Sequence, residues 1–206
     1  MKGNIMNTRP VLVTGATGYV GGRLVPYLLK DGYRIRVMGR SLSKLECRPW
    51  AGHPRIELVQ ADIFDLKSLQ QAAKGCWAAF YLIHSMNPGN KDFARMDRQA
   101  AQNMVQASQA SRIQRIIYLG GLGEETPSLS EHLRSRMEVA RILQSGSVPT
   151  TFLRAAVILG SGSASFEMLR YLVERLPVMT TPLWVRTSCQ PIAIRNVLGY
   201  LKGCLE

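Results

Sequence analysis

Short apolar runs alternate with segments of helical periodicity almost from end to end of the chain. Val11–Val13 is a compact apolar run that stops at Gly15, which predicts a buried strand. Val20, Leu24 and Leu28 then recur at helical spacing until Asp31 and Gly32 end the pattern. Pro26 falls inside that helix, where it costs up to ~3 kcal/mol unless a kink is accommodated. Further strands are predicted at 35–38, 56–59 and 77–83, with a helix at 65–73 between the last two. A loop containing Asn87, Pro88, Gly89 and Asn90 leads into a long helix over 92–111. A fifth strand follows at 116–119, ending in Gly120 and Gly121. Ser130 opens the next helix, 151–159 reads as a sixth strand, and 166–176 as another helix.

Strands separated by helical segments imply βαβ units. The predicted fold is therefore α/β: a Rossmann-type, doubly wound parallel sheet with helices on both faces. No internal repeat or low-complexity linker divides it, so residues 1–206 read as one domain. Residues 191–197 read as a strand turning into a helix, at whose end the sequence stops. We expect a longer natural chain whose C-terminal substrate segment is missing here.

Composition narrows the class without changing the fold. The chain is 46% hydrophobic and 19% charged, which excludes a disordered chain, a coiled coil and a collagen-like repeat. Residues 77–83 form the longest apolar stretch, far short of the ~20 needed for a membrane span. Residues 1–9 lack the apolar centre of a secretion signal. The four cysteines, Cys47, Cys76, Cys189 and Cys204, are far apart and form no metal-ligand pattern. They read as reduced thiols of a cytoplasmic protein, with no metal site.

A net charge of +12 could serve nucleic acid, an anionic surface or a phosphorylated ligand. The basic residues are scattered, without a run of four or an aromatic-studded strip. A generally basic surface is favoured over a nucleic-acid surface.

The most informative segment is Thr14-Gly15-Ala16-Thr17-Gly18-Tyr19-Val20-Gly21. It follows a buried strand and opens an amphipathic helix, the context a phosphate-binding glycine turn requires. Gly15 permits the tight turn, Gly18 lets backbone approach a pyrophosphate, and Gly21 lets helix and strand pack closely. Amides at the helix start then face the anion.

The spacing G-x-x-G-x-x-G resembles that of the extended and atypical short-chain dehydrogenase/reductases, and the resemblance covers nearly the whole chain. It implies that Thr14 to Gly21 cradle the pyrophosphate of a nicotinamide dinucleotide. The second strand carries Asp or Glu where the 2′-hydroxyl of NAD is read. Here it ends in Gly39-Arg40-Ser41, with Lys44 close behind. Arg40 can pair with a 2′-phosphate and Ser41 can donate to it, so NADP is expected rather than NAD. By position, Asp62 and Ile63 would lie beside the adenine, and Leu82, Ile83 and His84 beside the adenosine ribose. Ala155 would approach the nicotinamide. Each of these is equally readable as packing or loop chemistry.

The family's chemistry uses a Tyr and a Lys four residues later on one helix, a Ser ending the fifth strand, and an Asn in the preceding helix. The matching positions here hold His132, Arg136, Gly120 and Asp97. Arg136 keeps a charge for the nicotinamide ribose but cannot exchange a proton near neutral pH. His132 can act as acid or base, and a neighbouring cation should lower its pKa. It reads equally as a helix-start histidine without a role. Asp97 reads equally as a hydrogen-bonding residue of the helix layer.

These departures, with Y-L-G-G-L-G and H-L-R-S-R, resemble an atypical subgroup described as NAD(P)-dependent epimerase/dehydratases. The resemblance implies an NADP(H)-dependent oxidoreductase or nucleotide-sugar epimerase/dehydratase with non-standard catalytic residues. The alternative is a non-catalytic NADP(H)-sensing or assembly module. The small-molecule substrate and the oligomeric state stay open.

Overall fold

The computed structural model describes residues 8–83, 92–123, 130–176 and 188–206. Within them the chain runs β1 (Val11–Val13), α1 (Tyr19–Lys30), β2 (Ile35–Gly39), α2 (Leu42–Glu46) and β3 (Ile56–Gln60). It continues through α3 (Leu66–Ala73), β4 (Ala78–Tyr81), α4 (Phe93–Ala110), β5 (Arg115–Gly121), α5 (Glu131–Ser145) and β6 (Thr150–Ala155). The last elements are β7 (Ile158–Leu159), α6 (Ala164–Arg175), β8 (Ile192–Ala193) and α7 (Ile194–Gly203).

The main sheet has six strands in the order β3-β2-β1-β4-β5-β6, and every pairing in it is parallel. Strand alternation produces two cores. Leu12, Ala79, Tyr81, Ile116 and Tyr118 face one side, where they meet Leu69 of α3, Met104 of α4 and Leu143 of α5. Val11, Val13, Phe80, Ile117 and Leu119 face the other, against Leu24 and Leu28 of α1 and Val197 and Leu201 of α7. Both faces are covered, which is why the strands read as near-continuous apolar runs. This is the expected doubly wound α/β architecture.

Two details differ from the sequence pattern, and a third bears out the expected proline. The predicted sixth strand is split: β6 ends at Ala155, and β7 pairs with β8 in a separate two-stranded sheet. The short helix α2 follows β2, with Ser41 as its N-cap accepting the Lys44 amide at 3.4 Å. Its five residues are too few for a periodic apolar signal. Pro26 does sit inside α1. The carbonyl of Gly22, which a residue-26 amide would ordinarily meet, instead accepts the Trp50 indole N–H at 3.3 Å.

The strand order reverses between β1 and β4, since the chain leaves β1 toward β2 on one side and returns to β4 on the other. In open α/β sheets the crevice beyond the strand ends at such a point is where ligands bind. The loop with Asn87, Pro88, Gly89 and Asn90 lies outside the described residues.

Candidate functional site: the glycine turn and the helix that faces it

Thr14 closes the sheet at this reversal. It is fully buried; its amide and hydroxyl donate to the Phe80 carbonyl at 3.0 and 2.9 Å, and its hydroxyl accepts the Leu82 amide at 3.1 Å. These bonds hold the ends of β1 and β4 together beneath the glycine turn. Gly15 then adopts φ +69°, and a Cβ there would lie 2.5 Å from the Leu82 carbonyl oxygen. A Cβ on Gly21 would lie 2.4 Å from the Gly15 oxygen, so the third glycine sets the distance between helix and turn. Ala16 is buried, whereas Thr17 and Gly18 are exposed at the mouth.

Gly18 is the N-cap of α1 and no side chain caps it; the first turn also carries no acidic residue. Hydroxyl and carboxylate caps ordinarily satisfy the first amides of a helix. Here that place stays open to an external anion, bordered by Tyr19 and Val20. The donor set fits the pyrophosphate of a dinucleotide, for which the amides and helix dipole supply partial positive charge. The same region holds a cation that sequence reading overlooked. Arg48, beyond α2, donates from a terminal guanidinium nitrogen to the Thr17 carbonyl at 2.7 Å.

Arg40 is exposed just beyond β2, and its carbonyl accepts from the Gln60 side-chain amide at 3.2 Å. Ser41 shares a 2.8 Å hydrogen bond with the Ser43 hydroxyl besides capping α2, and Lys44 is exposed. Asp62 follows β3 with one carboxylate oxygen accepting the Phe64 amide at 3.0 Å. The Ile63 side chain belongs to the core, and its carbonyl accepts from Asn103 at 2.8 Å. Leu82 and Ile83 are half-buried beyond β4, while His84 lies outside the described residues. At the end of β6, the Ala155 carbonyl accepts the Leu122 amide at 2.9 Å.

The second half of the site is built where α5 meets β5. Ser130 caps α5 by accepting the Leu133 amide at 3.4 Å, which starts the helix so that His132 and Arg136 share a face. Arg136 Nε donates to His132 Nε2 at 3.0 Å. A guanidinium offers no acceptor, so Nε2 is unprotonated and a neutral imidazole carries its proton on Nδ1. Burial holds His132 below the usual histidine range, the Arg136 charge adds to this, and Asp97 opposes it. Burial likewise lowers Arg136, with Tyr118 and Asp97 opposing.

Asp97 is buried and accepts the Ser135 hydroxyl at 3.1 Å, joining α4 to α5. It lies close enough to bear on the titration of His132, Arg136, Tyr118 and Tyr81. Tyr118 donates from its hydroxyl to the Arg136 carbonyl at 3.2 Å, and burial raises its pKa far above the usual phenol range.

The two glycines ending β5 face closely packed side chains. A Cβ on Gly120 would lie 2.6 Å from the Phe152 ring, which stacks on Tyr118 at 5.1 Å between centroids. A Cβ on Gly121 would lie 2.5 Å from Leu133 of α5. The aromatic stack fills the space that a serine side chain at 120 would need.

Among the described residues no His, Cys, Asp or Glu cluster is arranged to hold a metal ion. No described helix is long and apolar enough to cross a membrane.

Comparison with known proteins identifies the family of the fold. Residues 15–164 match a family model described as NAD(P)H-binding. A ceramide reductase of Caulobacter vibrioides is 27% identical over 179 residues, covering 86% of this chain and 55% of that protein. A triphenylmethane reductase of a Citrobacter species is 25% identical, with a TM-score of 0.64 over 80% of this chain and 54% of that one. The Bordetella bronchiseptica enzyme WbmG, solved with NAD and UDP, is 15% identical, with a TM-score of 0.77 over 97% of this chain and 69% of that one. The last likeness concerns the fold alone. The chain spans about half the length or less of the curated relatives it matches.

Proposed function

The chain belongs to the NAD(P)H-binding family of the short-chain dehydrogenase/reductase superfamily, and from that premise we propose that residues 1–206 form the dinucleotide-binding domain of an NADP(H)-dependent reductase or epimerase/dehydratase. The observation that carries this reading is the uncapped start of α1 beneath Gly15 and Gly18, joined by Thr14 to the end of β4. Thr14, Gly15, Ala16, Thr17, Gly18, Tyr19, Val20 and Gly21 then form the pyrophosphate cradle. Asp62, Ile63, Leu82 and Ile83 line the adenosine side, and Ala155 the nicotinamide side.

The preference for NADP over NAD rests on charge. Arg40 and Lys44 are exposed beside the end of β2, where a carboxylate would be needed to favour an unmodified ribose. The two hydroxyls of Ser41 and Ser43 lie between them in sequence and can donate to a phosphate.

A bound nicotinamide would supply or accept a hydride. The chain's own part is to bind and polarise what reacts with it. His132, neutral and with its proton on Nδ1, offers a hydrogen bond to a developing oxyanion, while Arg136 supplies fixed charge and sets the ring orientation. A neutral imidazole next to a cation is a poor base but a good oriented donor. Asp97 holds α5 in register through Ser135 and moderates the charge of the pair.

Calorimetric titration with NADPH and, in parallel, NADH tests the proposal. Tighter binding of NADPH is expected. Binding of neither would remove the reading of the glycine turn as a cofactor site, and a preference for NADH would remove the assignment of Arg40 and Lys44.

A further inference from the structure

We propose that Arg48 is an additional charge of the pyrophosphate site, acting at the mouth of the glycine turn and serving NADPH and NADH alike. Three residues of the segment after α2 carry the argument. Arg48 reaches across to the Thr17 carbonyl at 2.7 Å, Pro49 follows, and Trp50 donates to the Gly22 carbonyl at 3.3 Å. These hydrogen bonds land on either side of the first turn of α1. Trp50 is 7% exposed and belongs to the core beneath the helix, so the segment's position is fixed by apolar packing. Arg48 is thus held by a buried anchor two residues away, while its head stays half-exposed beside the exposed Thr17 and Gly18.

The placement has an electrostatic consequence. A Thr17 carbonyl needs only a hydrogen-bond donor, which water or any polar side chain supplies. Arginine supplies in addition a permanent charge of the sign that a pyrophosphate requires, beside amides that carry only fractional charge. The first turn of α1 contains no acidic residue to neutralise it. Arg40, Lys44 and Arg48 also recur at intervals of four around α2. Arg40 and Lys44 point the 2′-phosphate reading toward the end of β2, whereas the Thr17 contact puts Arg48 at the turn. The three cations therefore divide between two phosphate groups.

The inference rests on the proposed cofactor reading, and substitution separates the two. NADPH and NADH affinities are measured calorimetrically for the wild type, Arg48→Lys, Arg48→Gln and Arg48→Met, at low salt and at about 0.5 M salt. The expected result is a loss of about tenfold for both dinucleotides in Arg48→Gln and Arg48→Met, an unchanged NADPH-to-NADH ratio, and near wild-type binding by Arg48→Lys. The gap between wild type and Arg48→Gln should narrow at high salt, because a screened charge contributes less. A merely structural bond to Thr17 predicts the opposite ranking, with Arg48→Gln retained and no dependence of the gap on salt. That ranking would overturn the proposal. So would a loss confined to NADPH, which would make Arg48 a ligand of the 2′-phosphate, or no loss at all. Thermal melting of each cofactor-free variant identifies any that fails to fold; the salt dependence of the wild type, steeper than that of the folded variants that lack the charge, then decides. Wild-type protein that bound neither dinucleotide would instead remove the cofactor reading itself.

Discussion

The indole N–H of Trp50 meets the carbonyl oxygen of Gly22 at 3.3 Å, in the place where Pro26 leaves α1 without an amide. A proline inside a helix ordinarily leaves the acceptor one turn back without its usual partner. Here a side chain from outside the helix satisfies it. Trp50→Phe should therefore destabilise the fold by about 1–2 kcal/mol, through loss of a hydrogen bond to a partly buried carbonyl. In a Pro26→Ala background the restored amide can take over, and the cost of Trp50→Phe should shrink. Denaturant unfolding of the four proteins measures this coupling directly; an identical cost in both backgrounds would contradict it.

Arg40→Asp should weaken NADPH binding by tenfold or more, on the order of 1.4 kcal/mol, while leaving NADH binding unchanged or improved. Titration of the variant with both cofactors checks this. Unchanged NADPH affinity would remove Arg40 from the 2′-phosphate site.

Gly18→Leu should abolish binding of both dinucleotides and still unfold cooperatively. A Cβ at this position meets only the Gly15 oxygen, at 3.2 Å, so the backbone tolerates it with a small shift. The rest of the side chain would project into the mouth of the cradle. Retained binding would mean that the turn does not carry the pyrophosphate.

Restoring the family's serine by Gly120→Ser should cost about 1–3 kcal/mol, because the added Cβ meets the Phe152 ring at 2.6 Å. Phe152→Leu should recover part of that loss by removing the ring edge. Thermal or denaturant unfolding of the single and double variants would show it, and full tolerance of Gly120→Ser alone would contradict the steric account.

His132 links the site to stability. Its folded-state pKa lies below that of an unfolded histidine, about 6.5, chiefly through burial and then through Arg136. Below about pH 6.5 the unfolded chain therefore binds the proton more readily, so the folded state loses stability as pH falls toward the lower folded value. His132→Gln should flatten this part of the stability profile. Denaturant midpoints at about pH 7.5 and about pH 5.5 provide the comparison; an unaltered slope would detach His132 from the effect.

Much of this molecule was legible in its sequence. The apolar runs at Val11–Val13 and 35–38, alternating with helical patterns such as that of α1, already implied parallel strands covered on both sides. The glycine spacing located the turn, since Gly15 and Gly21 occupy positions that a Cβ would block. His132 and Arg136 were singled out by the resemblance, which puts them at the family's Tyr and Lys positions, and the structure joins them by a 3.0 Å hydrogen bond. Where the sixth strand breaks was not legible, because both segments are apolar and only the pairing of β7 with β8 distinguishes them.

Local pattern determined the order of elements, the alternation of buried faces and the place of the glycine turn, because strand and helix periodicity are properties of neighbouring residues. Tertiary structure decided what required residues distant in sequence to meet. Trp50 supplies the Gly22 carbonyl with the donor that Pro26 lacks, Arg48 bonds the Thr17 carbonyl, and the Phe152 ring crowds position 120. Each depends on a distance across elements, and a linear pattern of apolar and polar positions carries no such distance.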